Sequence, residues 1–371
     1  MSTALAGTED HPQARIVLSN ALASGPSHAY LFHGPAGVGK RTVARAFAAE
    51  LLAFDAPDPD DVRKRVAHGV HPDLTWVRPS GAHVMRVDDV DEPVVMAATR
   101  TPFEASRRVF VLERVDTMND EVANRLLKTL EEPAPFVHLI LLTDALGRVI
   151  ETVVSRCQPV RFEPLPSERI AEQLSAEGVP SERARACARL ALGNAARARY
   201  LASPEGEEVR AEVEAFVAAA LGADGGEPWR PLLQRAEARR DAEEERLAVE
   251  ARDRLELEPK GRERRAIERE LEEAAKRDGR RARTSSLDLA LTLAGLTFRD
   301  LICVAEGADA AVLAEDRTPT LADRARSRDP RKLREAAERC EDLRQALELN
   351  VTEDLALSAL GFRLSGLVGA G

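Results

Sequence analysis

His28-Ala29-Tyr30-Leu31-Phe32-His33-Gly34-Pro35-Ala36-Gly37-Val38-Gly39-Lys40 is the stretch on which the fold turns. Its first six residues read as a strand, and they feed straight into a glycine-punctuated loop that ends in lysine. Arg41 to Leu52, rich in alanine, continues as a helix. Strand, glycine loop and helix in that order make a phosphate cradle. The glycines let backbone N–H groups close around phosphate oxygens, the lysine reaches the terminal phosphates, and the helix turns the positive end of its dipole toward them. Gly34, Gly37, Gly39, Lys40 and Thr42 are the candidate phosphate contacts.

The loop departs from a hydrolytic one at a single place. The residue after the lysine should be a hydroxyl that holds Mg²⁺. Arg41 stands there, and Thr42 comes one residue late, about 100° further round the helix.

The stretch Arg108 to Gln158 carries the complementary half of the chemistry. Val109-Phe110-Val111-Leu112 reads as a buried strand, followed by a helix from Asn119 to Leu130 with Asn119 as N-cap, acidic residues in its first turn and Pro133 beyond its end. A second buried run spans Leu139 to Leu142, then Thr143, and the stretch closes on Ser155-Arg156-Cys157. In phosphate-loop NTPases the first of these strands ends in an aspartate that positions Mg²⁺, and a neighbouring carboxylate polarises water. Those positions are Glu113 and Arg114 here. Arginine cannot act as a base near neutrality. With Arg41, the pattern predicts that hydrolysis is absent or very slow and leaves ATP or ADP binding without turnover open.

The totals bound the rest. A chain of 371 residues predicts two or three domains. A net charge of -10 argues against wholesale wrapping of nucleic acid. The four cysteines, Cys157, Cys187, Cys303 and Cys340, are isolated, so no zinc site or disulfide framework is expected. No apolar run approaches the roughly 18 residues of a membrane span and no basic-then-apolar leader is seen, so a cytoplasmic protein is expected. His68 and His71 lack a third metal ligand and suit a turn and cap better, so no metal is expected.

Along the chain, residues 11 to 24 suggest a short helix, 54 to 70 a polar loop or insertion, 73 to 77 a strand, and 84 to 101 a helix with Pro93 near a start or a kink. Residues 203 to 208 and 222 to 228 read as turn-rich flanks of a short apolar helix. From about 230 to 283 runs a charged helical arm, with interruptions expected at Pro259-Gly261 and Gly279. Its cluster Lys276, Arg277, Arg280, Arg281 and Arg283 could meet DNA phosphate, although Glu272, Glu273 and Asp278 dilute it. Apolar helical stripes then occupy 287 to 304, 329 to 349 and 352 to 368.

Tyr30-Leu31-Phe32, His71-Pro72-Asp73, Met118-Asn119, the run Ala123-Asn124-Arg125-Leu126-Leu127-Lys128-Thr129-Leu130-Glu131-Glu132-Pro133 and Ser155-Arg156-Cys157-Gln158 together resemble the bacterial clamp-loader AAA+ proteins. The likeness is close over 11 to 166 and weak beyond. It implies an α/β P-loop domain with a five-stranded parallel sheet at 1–166, a small helical lid at 167–222, and an all-α collar at 223–371 through which subunits form a ring. It implies that Arg156 is an arginine finger acting in trans on a neighbouring subunit's ATP, and that Thr143 occupies a sensor position. Many relatives carry a four-cysteine zinc module that 53 to 70 lacks, which again predicts no zinc. At the lid's sensor arginine this chain has Ala196, with Arg197 displaced by one, so Arg197 is expected to be solvated.

The resemblance implies a non-hydrolysing stator of the replicative DNA polymerase III clamp loader, with gamma or tau, delta, the sliding clamp and primer-template DNA as partners and no membrane. Two alternatives stay open at this point: an active AAA+ motor, and a DNA-binding adaptor that keeps the P-loop fold as scaffold.

Overall fold

Five short strands, β1 (Ala29–His33), β2 (Leu74–Val77), β3 (Arg108–Leu112), β4 (Val137–Thr143) and β5 (Gln158–Arg161), form one parallel sheet in the order β2-β3-β4-β1-β5. The computed structural model describes residues 5, 8–80, 84–223, 226–256, 262–326, 328–347 and 351–369. Both faces of the sheet are covered, which is why its central strands read as unbroken apolar runs. Alternation still sorts the side chains. Tyr30, Phe32, Val109, Val111, Ile140 and Leu142 face one core, and Leu31, Phe110, Leu112, Leu139 and Leu141 face the other. β5 is an edge strand, where Pro159 removes no needed ladder donor.

The first face is covered by α1 (Pro12–Ser24), α2 (Lys40–Ala53) and α3 (Pro59–Ala67). α4 (Asp120–Glu131) and α5 (Glu151–Val154) cover the second, with an irregular segment between Val87 and Thr99. The Asn119 side chain accepts from the Val122 N–H at 3.0 Å, the cap expected of it.

Two expectations in this unit need correction. Residues 54 to 70 are not simply a loop, because α3 lies within them. Asp58 caps it by accepting from the Asp61 N–H at 3.1 Å, Pro59 opens it, and Val62 and Val66, one turn apart, are buried. Residues 84 to 101 are not one regular helix. Pro93 lacks an N–H, and the segment breaks into a 3₁₀ turn (Val87–Asp89), a π turn (Asp91–Met96) and another 3₁₀ turn (Ala97–Thr99).

The chain divides into two compact units, Met1–Leu165 and Pro166–Gly371. The described part of the second is helical: α6 (Ser167–Ala176), α7 (Ser181–Leu190), α8 (Ala195–Ala202), α9 (Pro204–Ala220), α10 (Arg230–Glu256), α11 (Arg262–Ala305), α12 (Thr318–Ala325), α13 (Pro330–Ala346) and α14 (Glu353–Val368). The expected lid and collar both fall in this unit, where α9 packs against α8, α11 and α14.

Here too the sequence misled at particular residues. Residues 203 to 208 start α9 rather than precede it: Pro204 takes the first helical position and Ser203 caps, accepting from the Gly206 N–H at 3.2 Å. Gly279 does not interrupt α11. A Cβ there would sit 2.5 Å from Cγ of Glu244 on α10, so the glycine serves close helix approach. The other expected break, Pro259-Gly261, lies outside the described residues.

Candidate nucleotide site

The site is assembled at the carboxyl ends of parallel strands, beside β1, where the strand order changes direction. β1 runs into a loop whose three glycines all have positive φ: 146° at Gly34, 75° at Gly37 and 101° at Gly39. Gly34 is also sterically locked. A Cβ there would lie 2.1 Å from the Phe162 carbonyl oxygen. His11, at the start of α1, braces the loop from outside, with Nε2 2.6 Å from the Val38 carbonyl oxygen and its ring edge-on to Phe162.

Lys40 begins α2 and is buried. Its ammonium donates to the carbonyls of Gly34 and Pro35 at 2.5 and 2.6 Å and pairs with Asp144 at 2.6 Å. Parallel pairing explains that last contact, because His33 stands opposite Thr143 and their strands end together. Thr143 is buried, donates to Asp116 at 2.8 Å and accepts from the Ala145 N–H at 3.0 Å. Thr42 is exposed.

The two positions that hold Mg²⁺ in a hydrolytic phosphate loop meet here as an ion pair. Nη2 of Arg41 contacts Oε2 of Glu113. The opposite carboxylate oxygen accepts from Trp76 Nε1 at 2.6 Å and from Arg78 Nε at 3.3 Å. Both donors come from β2 and its end, adjacent to β3. Arg114 follows in the left-handed region, φ 55°.

Magnesium does not fit this arrangement. It demands near-octahedral oxygen ligation and retains several waters. The ligand hydroxyl is missing, the carboxylate is held by three donors, and two of those donors are guanidinium groups that would repel a dication.

Arg156, just past α5, makes its contacts elsewhere. It donates to the Thr152 carbonyl at 2.8 Å and to the Ser155 hydroxyl at 3.3 Å, and it pairs with Glu131 at the end of α4 at 2.5 Å. Its neighbour Cys157 is buried, which pushes the thiol up to about 12 and leaves it inert.

Arg197 is not the solvated residue expected. It is half-buried, and that burial lowers its pKa against the opposing pull of Asp288 on α11, with Arg344 on α13 adding to the lowering. In the charged arm, three of the five clustered cations are paired: Lys276 with Glu273, Arg281 with Asp278, and Arg283 with Glu237 and Glu353. Among the described residues no group of three or more His, Cys, Asp or Glu could hold a metal, and no helix is long and apolar enough to cross a membrane.

His11, Trp76, Arg78 and Asp144 escaped the sequence reading, as did the pairing of Glu131 with Arg156. Asp144 was recoverable, since it follows Thr143 on the strand that pairs with β1.

Residues 10–166 match the family described as DNA polymerase III, delta subunit. Over 191 residues the chain is 31% identical to DNA polymerase III subunit delta' of Bacillus subtilis, covering 50% of this chain and 57% of that protein. It is 37% identical over 166 residues to DNA polymerase III subunit delta' of Pseudomonas aeruginosa, covering 43% and 50%. To DNA polymerase III subunit gamma of Buchnera aphidicola it is 30% identical over 159 residues, covering 41% and 43%. The chain thus spans about half the length of the curated relatives it matches.

Proposed function

Residues 10–166 belong to the DNA polymerase III clamp-loader family, and from that premise we propose that the chain is a clamp-loader subunit that does not hydrolyse ATP itself. It acts as a stator in the ring. It lends Arg156 to the ATP site of a neighbouring gamma or tau subunit and, with delta, helps the assembly open the sliding clamp and place it on primer-template DNA. The role needs no zinc and no turnover at this chain's own loop, and its setting is the cytoplasm.

One observation carries the non-hydrolysing part. Arg41 and Glu113, which ought to share a magnesium ion, are bound to each other. With Arg114 where a water-polarising carboxylate belongs, the residues offer neither a fitting magnesium position nor the base on which phosphoryl transfer to water depends. What supports the finger is its place in Ser155-Arg156-Cys157 and its partial exposure at the end of a short helix.

The test is reconstitution with gamma or tau, delta and the clamp. Arg156→Ala should leave assembly intact and depress the ATPase stimulated by clamp and DNA. Normal stimulated activity in that variant refutes the role. Mg²⁺-dependent ATP turnover by the isolated chain, abolished by Lys40→Ala, would favour a motor instead. Tight, steeply salt-dependent DNA binding by the isolated chain would favour an adaptor.

A further inference from the structure

The loss of the metal position is only half of what the Arg41–Glu113 pair does; the other half is to fix a cation where the metal was. We infer that the phosphate loop takes a nucleoside di- or triphosphate without a divalent ion, the Arg41 guanidinium standing in for magnesium. The inference rests on the loop's cradle and is independent of what Arg156 does in an assembly.

Three observations converge. The cradle itself is intact: the glycines hold their positive φ angles, the Gly34 backbone is wedged against Phe162, and Lys40 heads α2. The carboxylate that should ligate the metal is saturated by Trp76, Arg78 and Arg41, so an arriving dication must displace guanidinium groups from a buried acid. Arg41 itself is not saturated. Its Nη2 is engaged by Glu113, its side chain is largely exposed, and it meets no second partner residue among the described residues. A guanidinium presents five donors in a rigid fork that matches phosphate oxygens.

Glu113 therefore works as an orienting group. It holds Nη2 of the guanidinium, and on this inference the remaining N–H groups are the ones that meet a phosphate in the cradle. A phosphate entering the cradle finds the Arg41 fork at its flank and the Lys40 ammonium at its end. For that, Lys40 must turn from the Gly34 and Pro35 carbonyls and from Asp144, three contacts the phosphate oxygens replace. Lys40, Arg41 and Arg78 gather three cations around Asp144 and Glu113, and a bare polyphosphate can pair with them directly. A magnesium-chelated nucleotide would bring its dication against Arg41 and Arg78. The site thus selects for the metal-free form, the reverse of a hydrolytic loop.

Isothermal titration calorimetry of the full chain with ADP and with ATP, once in EDTA and once in excess Mg²⁺, tests this. Binding in EDTA should be as tight as in Mg²⁺ or tighter, and Arg41→Ala should weaken the EDTA-phase affinity by about tenfold or more, the loss of one charge-assisted contact. Lys40→Ala should weaken it as well, which assigns the signal to this loop. Binding that appears only with Mg²⁺ overturns the inference, as does an affinity in EDTA that Arg41→Ala leaves unchanged, or an absence of binding in both buffers. Arg41 is largely exposed, so the variant should fold, and a matching thermal unfolding curve verifies that it does. None of these outcomes touches the reconstituted ATPase readout of Arg156→Ala, so the two readings fail separately.

Discussion

The guanidinium of Arg41 and the carboxylate of Glu113 form an ion pair whose members differ sharply in exposure, 64% for the arginine side chain and 3% for the glutamate. Deleting one or the other should therefore have unequal consequences. Arg41→Ala removes an exposed partner whose attraction is screened, and the expected loss is within about 1 kcal/mol. Glu113→Ala strands the Trp76 indole N–H and two guanidinium groups, and a donor left without its acceptor costs about 1 to 3 kcal/mol. Urea unfolding of the two variants should separate them in that order. Equal losses would show that the pair is not anchored from the glutamate side.

Gly34 is the loop position least able to change. Its φ of 146° disfavours any side chain, and a Cβ would collide with backbone, the Phe162 carbonyl, rather than with a side chain that can swing aside. Gly34→Ala should cost about 1 to 3 kcal/mol from backbone strain alone and should abolish nucleotide binding in the same calorimetric assay. A variant with wild-type stability would mean that β1 and the segment at Phe162 can separate without penalty.

Arg156 is held by Glu131 in the free chain, and both side chains are partly exposed. A finger that serves a neighbour must leave this partner. Glu131→Ala should change the unfolding free energy by less than about 1 kcal/mol, as expected for a surface pair. In the reconstituted loader it should preserve or raise stimulated ATPase, opposite in direction to Arg156→Ala. An arginine supplied in trans is worth roughly 10³ to 10⁵ at the one site it serves, so the two variants are readily told apart. A fall matching that of Arg156→Ala would show that Glu131 orients the finger instead of restraining it.

β1, β3 and β4 were legible because each is a short, mostly apolar run, whereas β5, Gln158–Arg161, is exposed at three of its four positions and carries no such pattern. The departures at Arg41, Glu113 and Arg114 were visible for a different reason: motif spacing assigns a residue type to each position, and these three differ from it. That Arg41 and Glu113 touch was not legible, since the two lie 72 positions apart and only the order of β1, β3 and β4 brings them together. Where the reading failed, local chemistry had two meanings. Pro59 and Pro204 look like loop markers but begin helices, and Gly279 looks like a break but permits close packing. Arg197 looked solvated because nothing local reveals that α11 and α13 pack near it.

Three histidines in the first unit link its stability to pH. His33, His71 and His138 all have pKa values lowered by burial; at His33 the charges of Arg161 and Lys40 add to the effect, and at His138 the charges of Arg107 and His28 do so against the pull of the Ser27 carbonyl. Each is thus held neutral in the folded state, while in the unfolded chain it titrates near 6.5. Below about that pH the unfolded chain binds more protons than the folded one, so stability falls as pH falls, and above it these groups contribute a constant amount. Asp73 acts in a lower window. Burial pushes its carboxyl up, but the N–H groups of Ala105, Glu104 and Phe103 outweigh that and hold it below its usual range, so its contribution is lost only at pH below about 4. The unfolding midpoint of the chain should therefore decline between pH 7 and pH 5, before carboxylates such as Asp73 begin to titrate. His138→Gln should make that decline shallower, because the amide can still meet the Ser27 carbonyl, 2.9 Å from the imidazole, without carrying a titrating group. A midpoint that stays flat from pH 7 to pH 5 in the wild-type chain would contradict the burial argument for all three histidines.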